Sequence, residues 1–160
     1  MNTLVKTLKK YQQDGVDRIV SQTNTLIADE PGLGKTIQVL AYIDQNNVNK
    51  TLIVCPSSLK LNWENEIGEW IKTKKLNINV ISKGTDTLKD DDNIIIVSYN
   101  LVGTIKGLNS LYFDLLVCDE SHYLRSPKAK RSKIILGLHG LYKQAKKVVC
   151  LTGTPLTIDP

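Results

Sequence analysis

One segment of the sequence has the residue types and spacing of a phosphate-binding loop. It reads Ala28-Asp29-Glu30-Pro31-Gly32-Leu33-Gly34-Lys35-Thr36 and lies between a β-branched run and an amphipathic stretch. Gly32 and Gly34 let backbone amides turn toward an anion, and the N-terminus of the following helix adds unpaired N–H groups. Lys35 is predicted to reach the β- and γ-phosphates of ATP, and the Thr36 hydroxyl to bind Mg²⁺.

The loop departs from the general phosphate-loop pattern at one position, because Asp29 stands where that pattern has glycine. The alternative interpretation is a glycine-rich turn before an amphipathic helix. The Gly-Lys-Thr sequence directly after a predicted strand favours the phosphate site, and we expect residues 29–36 to bind the nucleotide.

Two adjacent carboxylates follow another apolar run. Asp119 and Glu120 come directly after Leu115-Leu116-Val117-Cys118, and ligands of open parallel sheets bind at the carboxyl ends of strands. Asp119 is predicted to hold Mg²⁺, and Glu120 to orient and deprotonate the attacking water. With Lys35, they are the predicted catalytic residues of phosphoryl transfer. The alternative is a strand followed by an acidic turn.

Two histidines and two tryptophans are further candidates for a role in the site. His122 is predicted to relay the nucleotide state by a hydrogen bond toward the strand that ends at Thr152; the alternative is a bystander in a turn. Trp63 and Trp70 are seven residues apart on one predicted helix and therefore share a face. Core packing is favoured for both over stacking on bases. His139 has no such context and is assigned a structural role.

The elements that position these residues follow from hydrophobic patterning. Short β-branched runs alternate with helical stretches, the order typical of an α/β fold. We expect a three-layer domain with a central, mostly parallel sheet flanked by helices, and an exposed loop at 83–93. The first helix is predicted to carry Tyr11, Val16 and Ile19 toward the core at the sheet edge. The predicted strands are 25–28, 51–55, 77–81, 94–98, 115–118 and 147–151, and the predicted helices are 7–20, 35–45, 57–71 and 128–138.

Composition limits the class of protein. A chain of 160 residues with 41% apolar and 23% charged residues is typical of one globular domain. The net charge of +5 suits a polyanionic partner, and no acid occurs from Ser121 to Ile158. Three cysteines in apolar runs are predicted to be buried thiols rather than disulfides or metal ligands. No apolar run has the length of a membrane span, so we expect a soluble intracellular protein, cytoplasmic if prokaryotic or viral and nuclear if eukaryotic.

Four motifs together carry a family resemblance. In order they are Leu8-Lys9-Lys10-Tyr11-Gln12, the loop 29–36, Asp119-Glu120-Ser121-His122 and Leu151-Thr152-Gly153-Thr154-Pro155. From about Leu8 to Pro155 the chain resembles the SWI/SNF-type ATPases of helicase superfamily II, especially their HARP-like annealing-helicase branch. The resemblance implies that Gln12 recognises adenine, which an amide can do by donating and accepting at once. The chain differs from the family at Pro31, where methionine is usual, and at Arg125-Ser126, where Lys-Asn is common.

The resemblance also implies a partner. Three segments at 55–58, 97–100 and 152–154 are expected to face a DNA strand, duplex or branched, without reading its sequence. Ser57 and Ser58 begin a predicted helix, where hydroxyls and free N–H groups suit a phosphate; N-capping by Ser57 is the alternative. The residues concerned are Pro56, Ser57, Ser58, Ser98, Tyr99, Thr152, Gly153 and Thr154.

The family implies a DNA-dependent ATPase that moves on DNA or reanneals it by opening and closing two RecA-like lobes. Residues 1–160 correspond to the first lobe, a helicase ATP-binding domain, and the second lobe is expected outside this chain. Because that lobe supplies an arginine finger, we expect the isolated chain to bind nucleotide weakly and to hydrolyse it negligibly. The isolated chain is also expected to be monomeric. The alternatives are a noncatalytic nucleotide-dependent binding module and an RNA helicase lobe, the latter disfavoured by Ser121-His122 and Leu-Thr-Gly-Thr-Pro.

Overall fold

A parallel sheet organises the chain. The structure, a computed structural model, describes residues 7–28 and 34–153. The sheet order within this part is β1-β6-β5-β2-β4-β3, and every pair of neighbours runs parallel. The strands are β1 (Asn24–Ile27), β2 (Thr51–Cys55), β3 (Ile78–Val80), β4 (Ile94–Ser98), β5 (Phe113–Cys118) and β6 (Ala145–Leu151).

Helices cover both faces of the sheet. The α-helices are α1 (Lys10–Ser21), α2 (Lys35–Gln45), α3 (Lys60–Trp70) and α4 (Lys130–Leu136), and short 3-10 turns lie at Ser57–Leu59, Leu108–Ser110, Ser121–Leu124 and Leu141–Gln144. β2, β4 and α2 have the predicted bounds. The helix predicted at 57–71 begins as a 3-10 turn, and the one predicted at 128–138 is shorter at both ends.

The strands have an apolar residue on each face. In β2, Ile53 and Cys55 belong to the core under α1, α2 and α3, whereas Leu52 and Val54 belong to the core under α4 and the 3-10 turns. Continuous apolar runs are the pattern of parallel strands that are buried on both faces. The predicted three-layer α/β fold is therefore confirmed, with a sheet that is wholly rather than mostly parallel in the described residues.

α1 packs against α2 and the edge strand β1, as predicted. Val16 and Ile19 are buried, but Tyr11 is 38% exposed, so its predicted place in the core is wrong. The buried face of α1 runs through Gln12, Gly15, Val16 and Ile19. Tyr11 lies on the rim of that face because one residue corresponds to about 100° around a helix.

One side chain of the predicted exposed loop is buried. Asp92 is 5% exposed, and its Oδ2 accepts hydrogen bonds of 2.8 Å from the Lys89 amide and from Asn79 Nδ2. A buried carboxylate needs such partners. Asp92 therefore joins the loop to β3. The sequence Asp90-Asp91-Asp92 does not show which of the three aspartates makes this contact.

The cysteines lie in strands as free thiols. Cys55 and Cys118 are buried, and Cys150 is partly buried. Burial raises the pKa of the Cys55 thiol to about 12, with a smaller contribution from the charge of Asp119. Within residues 7–28 and 34–153, no helix is long and apolar enough to cross a bilayer.

Asp114 joins the amino ends of β2 and β5 and offers a test of the fold. Its Oδ2 accepts hydrogen bonds from the Asn49 and Lys50 amides at 2.8 and 2.9 Å, and Lys146 Nζ lies 3.3 Å from Oδ1. Burial alone would raise the pKa of Asp114, but these hydrogen bonds outweigh burial and lower it. Asp114→Ala is expected to reduce the free energy of unfolding by about 1–3 kcal/mol at neutral pH.

The pH dependence identifies the source of this loss. A carboxylate with a lowered folded pKa stabilises the fold above its unfolded pKa of about 3.9, and the contribution disappears as the pH falls through the folded value. Urea denaturation of wild type and variant should therefore show a difference that narrows toward pH 3. Asp90→Ala, which removes an exposed acid from the loop, should have little effect at either pH. An equal loss in both variants would contradict the role of Asp114.

Candidate functional site

The predicted site residues meet at one edge of the sheet. Because the strands are parallel, their carboxyl ends lie together, and the segments after them become neighbours. The register brings Val54 beside Cys118, Cys55 beside Ser98, and Cys118 beside Cys150. The segments at 56–58, 99–100, 119–122 and 152–153 therefore share the carboxyl edge.

α2 begins at this edge in the geometry that the loop sequence predicts. Gly34 has φ +77° and precedes Lys35 and Thr36, the first two residues of α2. The positive φ favours glycine. A Cβ on Gly34 would also lie 2.7 Å from Gln12 Nε2 and 3.1 Å from Ile37 Cδ1, so those two side-chain ends would have to shift. Lys35 and Thr36 are half-buried. Asp29, Glu30, Pro31, Gly32 and Leu33 lie outside the described residues, and their contacts stay predictions.

Gln12 connects α1 to the phosphate loop. Its side chain is 6% exposed, and Oε1 accepts a hydrogen bond of 3.0 Å from the Lys9 amide at the start of α1. Its amide nitrogen lies against Gly34. Capping of α1 is a role that the sequence pattern did not indicate, while recognition of adenine stays a prediction.

Asp119 is buried, and both of its carboxylate oxygens and its carbonyl oxygen accept hydrogen bonds. It is 7% exposed; Oδ2 accepts a hydrogen bond of 2.8 Å from Trp63 Nε1, and Oδ1 accepts one of 2.9 Å from the Glu120 amide. The Tyr99 hydroxyl donates to the Asp119 carbonyl oxygen at 2.7 Å. Burial raises the pKa of Asp119, although the hydrogen bonds from Trp63 and Glu120 and the charge of Lys35 act in the opposite direction.

Glu120 lies in a different environment from its neighbour. Its backbone has φ +49° and ψ +53°, the single positive φ of a non-glycine residue in the described chain. Such a conformation costs about 1–3 kcal/mol and is common at functional sites. The Glu120 side chain is 32% exposed, so the turn directs one carboxylate outward while Asp119 stays inside. This separation suits a metal ligand followed by a base, roles that stay predictions.

His122 neighbours Glu120. Its Nδ1 lies 3.3 Å from Glu120 Oε2, and its ring centroid is 5.1 Å from that of Tyr123. The predicted hydrogen bond is toward the strand that ends at Thr152, a residue that is 1% exposed and donates its amide to the Ile27 carbonyl oxygen at 3.0 Å. The coupling role of His122 stays a prediction, and the structure connects the ring to the acidic pair.

The predicted DNA-facing residues divide into exposed and buried groups. Ser57 and Ser58 are exposed in the 3-10 turn, which has no side-chain cap, so N-capping by Ser57 is not observed. Ser98 and Tyr99 are 2% and 4% exposed; their side chains support the site from inside, and Asn100 is the exposed residue that follows them. Pro56 and Gly153 are partly buried, Thr152 is buried, and Thr154 lies outside the described residues.

Comparison with known proteins assigns the family. Residues 4–159 match the model of the SNF2-related domain. The chain belongs to the SNF2-related family. This confirms the resemblance to SWI/SNF-type ATPases that the four motifs indicated.

Curated relatives of this SNF2-related chain are much longer. The DNA annealing helicase and endonuclease ZRANB3 of Bos taurus is 37% identical over 158 residues, which cover 92% of this chain and 14% of ZRANB3. The SWI/SNF-related matrix-associated actin-dependent regulator of chromatin subfamily A-like protein 1 of Bos taurus is 34% identical, over 98% of this chain and 17% of the relative. The chain thus spans about one-seventh to one-sixth of these relatives.

Solved structures agree on the fold. The Sulfolobus solfataricus SWI2/SNF2 ATPase core in complex with dsDNA has a TM-score of 0.81 and 27% identity, covering 94% of this chain and 33% of that one. The Sulfolobus solfataricus SWI2/SNF2 ATPase core domain has a TM-score of 0.76 and 25% identity, covering 98% of this chain and 33% of that one. The RecA-like architecture expected of this SNF2-related chain is therefore confirmed.

The sequence did not predict one contact within the candidate site of this SNF2-related chain. Trp63 is fully buried, as predicted, and Trp70 is partly buried. The hydrogen bond from Trp63 to the Asp119 carboxylate joins residues 56 positions apart. The available signal was general: a buried indole N–H usually has an acceptor.

Proposed function

We propose that this chain is the ATP-binding lobe of a DNA-dependent ATPase that moves on DNA or reanneals it. The observation that carries the proposal is the buried, hydrogen-bonded Asp119 at the sheet edge where α2 begins. Burial raises the pKa of Asp119, and the charge of Lys35 is near enough to oppose that rise. A carboxylate that is costly to bury and is held in one orientation is typical of a functional site.

The residues fit ATP and Mg²⁺. Gly34 adopts the left-handed conformation directly before α2, and a helix N-terminus beside Lys35 suits phosphate groups. Thr36 and Asp119 provide a hydroxyl and a carboxylate, the oxygen ligands that Mg²⁺ prefers. Bound there, Mg²⁺ would neutralise charge on the phosphates. Gln12 would contact the adenine, as the family resemblance suggests.

Glu120 would act on the attacking water. Its side chain is 32% exposed, whereas Asp119 is buried, and an accessible carboxylate suits an oxygen that accepts a proton from water. Lys35 and Asp119 would meanwhile hold charge on the opposite side of the reacting phosphate. His122, 3.3 Å from Glu120, would sense or adjust the position of that carboxylate.

DNA is the proposed partner, and an intracellular location is part of the proposal. Support comes from the relative described as a DNA annealing helicase and from the solved ATPase core described in complex with dsDNA. Ser57 and Ser58, exposed at the carboxyl edge, would contact the backbone. Gly153 and Thr154 would contribute from the segment after β6, and the buried Thr152 would support that segment through the hydrogen bond from its amide to the Ile27 carbonyl oxygen.

Turnover would need a second RecA-like lobe. The chain covers 33% of the solved ATPase core, and an arginine finger from a partner is worth about 10³–10⁵ in rate for related phosphoryl transfers. We therefore propose that residues 1–160 alone bind nucleotide and hydrolyse it negligibly.

ATP hydrolysis by the full-length protein, measured alone, with duplex DNA and with RNA, tests the function. Stimulation by duplex DNA is expected, and Lys35→Ala should remove it because the phosphates lose their cation. Stimulation by RNA alone would support an RNA helicase instead. Nucleotide binding without hydrolysis under any condition would support a noncatalytic binding module.

A further inference from the structure

A small polar pocket lies at the carboxyl edge on the α4 side of the sheet. Its volume is about 210 Å³, and its polar lining comes from Asn100, Thr104, Lys130 and Arg131. Neither an aspartate nor a glutamate lines it. We call this the Arg131 pocket. Drug-sized ligands and cofactors usually occupy about 300–1,000 Å³, so this pocket suits a single small group rather than a whole nucleotide.

Arg131 is anchored in a fixed orientation. Its Nε donates a hydrogen bond of 2.6 Å to the Tyr123 carbonyl oxygen, and its guanidinium carbon lies 5.3 Å from the centroid of the Tyr123 ring. That ring stacks on Tyr99, with centroids 5.1 Å apart and planes at 4°. Arg131 as a whole is half-buried. An anchored cation loses little side-chain entropy when a ligand binds.

The charge around the pocket selects an anion. Lys130 is exposed beside Arg131, Lys128 and Lys133 are exposed nearby on the chain, and no acid occurs from Ser121 to Ile158. The Asn100 side chain adds amide donors. Guanidinium, ammonium and amide groups together form hydrogen bonds to a phosphate, and the guanidinium can do so with two N–H groups at once.

The position of the pocket identifies the source of the phosphate. Asn100 follows the buried Ser98 and Tyr99 at the carboxyl edge, where Ser57 and Ser58 are also exposed. A Cβ on Gly84 would lie 2.9 Å from Thr104 Oγ1, so the turn after β3 lies against the pocket wall. The pocket is thus part of the same edge as the segments proposed to face DNA.

We propose that the Arg131 pocket binds one backbone phosphate of the DNA strand, with Lys130, Arg131 and Asn100 as its donors. The proposal rests on the proposed function. It adds Lys130 and Arg131 of α4 to the segments at 55–58, 97–100 and 152–154, and Asn100 already belongs to the second of these. Phosphate contacts position a protein on DNA without reading its sequence.

The salt dependence of DNA binding tests the pocket. Fluorescence anisotropy of the full-length protein with a labelled duplex is measured from about 50 to 200 mM salt, where each lost phosphate contact reduces the slope of log K against log[salt] by about 0.9. Lys130→Ala should lower the slope by about that amount, and Lys130→Arg should retain the wild-type slope. Lys143→Ala removes the same charge from an exposed residue of the 3-10 turn before β6, at the opposite edge, and should leave the slope unchanged.

The possible outcomes distinguish a failure of the Arg131 pocket from a failure of the proposed function. A wild-type slope in Lys130→Ala, with duplex still bound, overturns the pocket and leaves the proposed function in place. Equal losses in Lys130→Ala and Lys143→Ala also overturn it, because general surface charge then explains the effect. A wild-type protein that binds no duplex at any salt concentration overturns the proposed function and the pocket together.

Discussion

Glu120→Gln is expected to reduce DNA-stimulated ATP hydrolysis by about 10²–10⁴-fold while nucleotide binding persists, the effect of losing a general base. Glutamine has nearly the same shape and keeps the strained backbone at φ +49°, so the site geometry should survive. Only the oxygen that accepts a proton from water is lost. The measurements are phosphate release by the full-length protein and the affinity for a fluorescent ATP analogue.

A matched variant separates this effect from a general loss of charge. Glu64→Gln removes an exposed carboxylate on α3 and should hydrolyse ATP at the wild-type rate. If Glu120→Gln hydrolyses ATP within about twofold of wild type, another group activates the water and the role assigned to Glu120 is wrong.

Trp63→Phe should impair the metal end of the site and destabilise the fold. Phenylalanine keeps an aromatic ring in the core but removes the N–H that donates to Asp119 Oδ2 at 2.8 Å. A hydrogen bond to a charged group is worth about 1.5–3 kcal/mol, and a buried acceptor left without a donor carries a desolvation cost. We expect a lower free energy of unfolding and a higher Mg²⁺ concentration for half-maximal hydrolysis.

The pH profile provides a readout that a loss of packing would not produce. Burial already raises the pKa of Asp119, and the hydrogen bond from Trp63 lowers it. Without that bond the pKa rises further, so Asp119 stays protonated to higher pH and the acid limb of the activity profile moves upward.

Trp70→Phe is the control, because Trp70 is the last residue of α3 and only partly buried. Its Mg²⁺ dependence and acid limb should match wild type. If Trp63→Phe differs from Trp70→Phe in stability alone, Trp63 is a packing residue and does not position Asp119.

The fold and the centre of the site were predictable because their signals are local. Unbroken apolar runs mark buried strands, and β2, β4 and α2 have the bounds predicted from them. Gly34 was predicted from the turn it must form, and its φ of +77° agrees. Asp119 and Glu120 were predicted from their position after an apolar strand.

Two other predictions were wrong because burial there depends on contacts between separate segments of the chain. The predicted exposed loop contains the buried Asp92, because Asn79 of β3 provides a donor for it. Tyr11 is exposed because the packing of α1 on α2 selects a face one position away. Neither partner can be recognised from the residues beside it in the chain.

The sequence by itself therefore determined where the candidate residues lie in the fold: a glycine, lysine and threonine at the start of a helix, and two carboxylates directly after a strand. The tertiary structure decided how those residues are held. Trp63 donates to Asp119 from 56 positions away, Tyr99 supports the same residue from the end of β4, and Gln12 lies against Gly34. The physical reason is the parallel sheet, which brings the carboxyl ends of distant strands together, so that these contacts depend on register and packing rather than on local sequence.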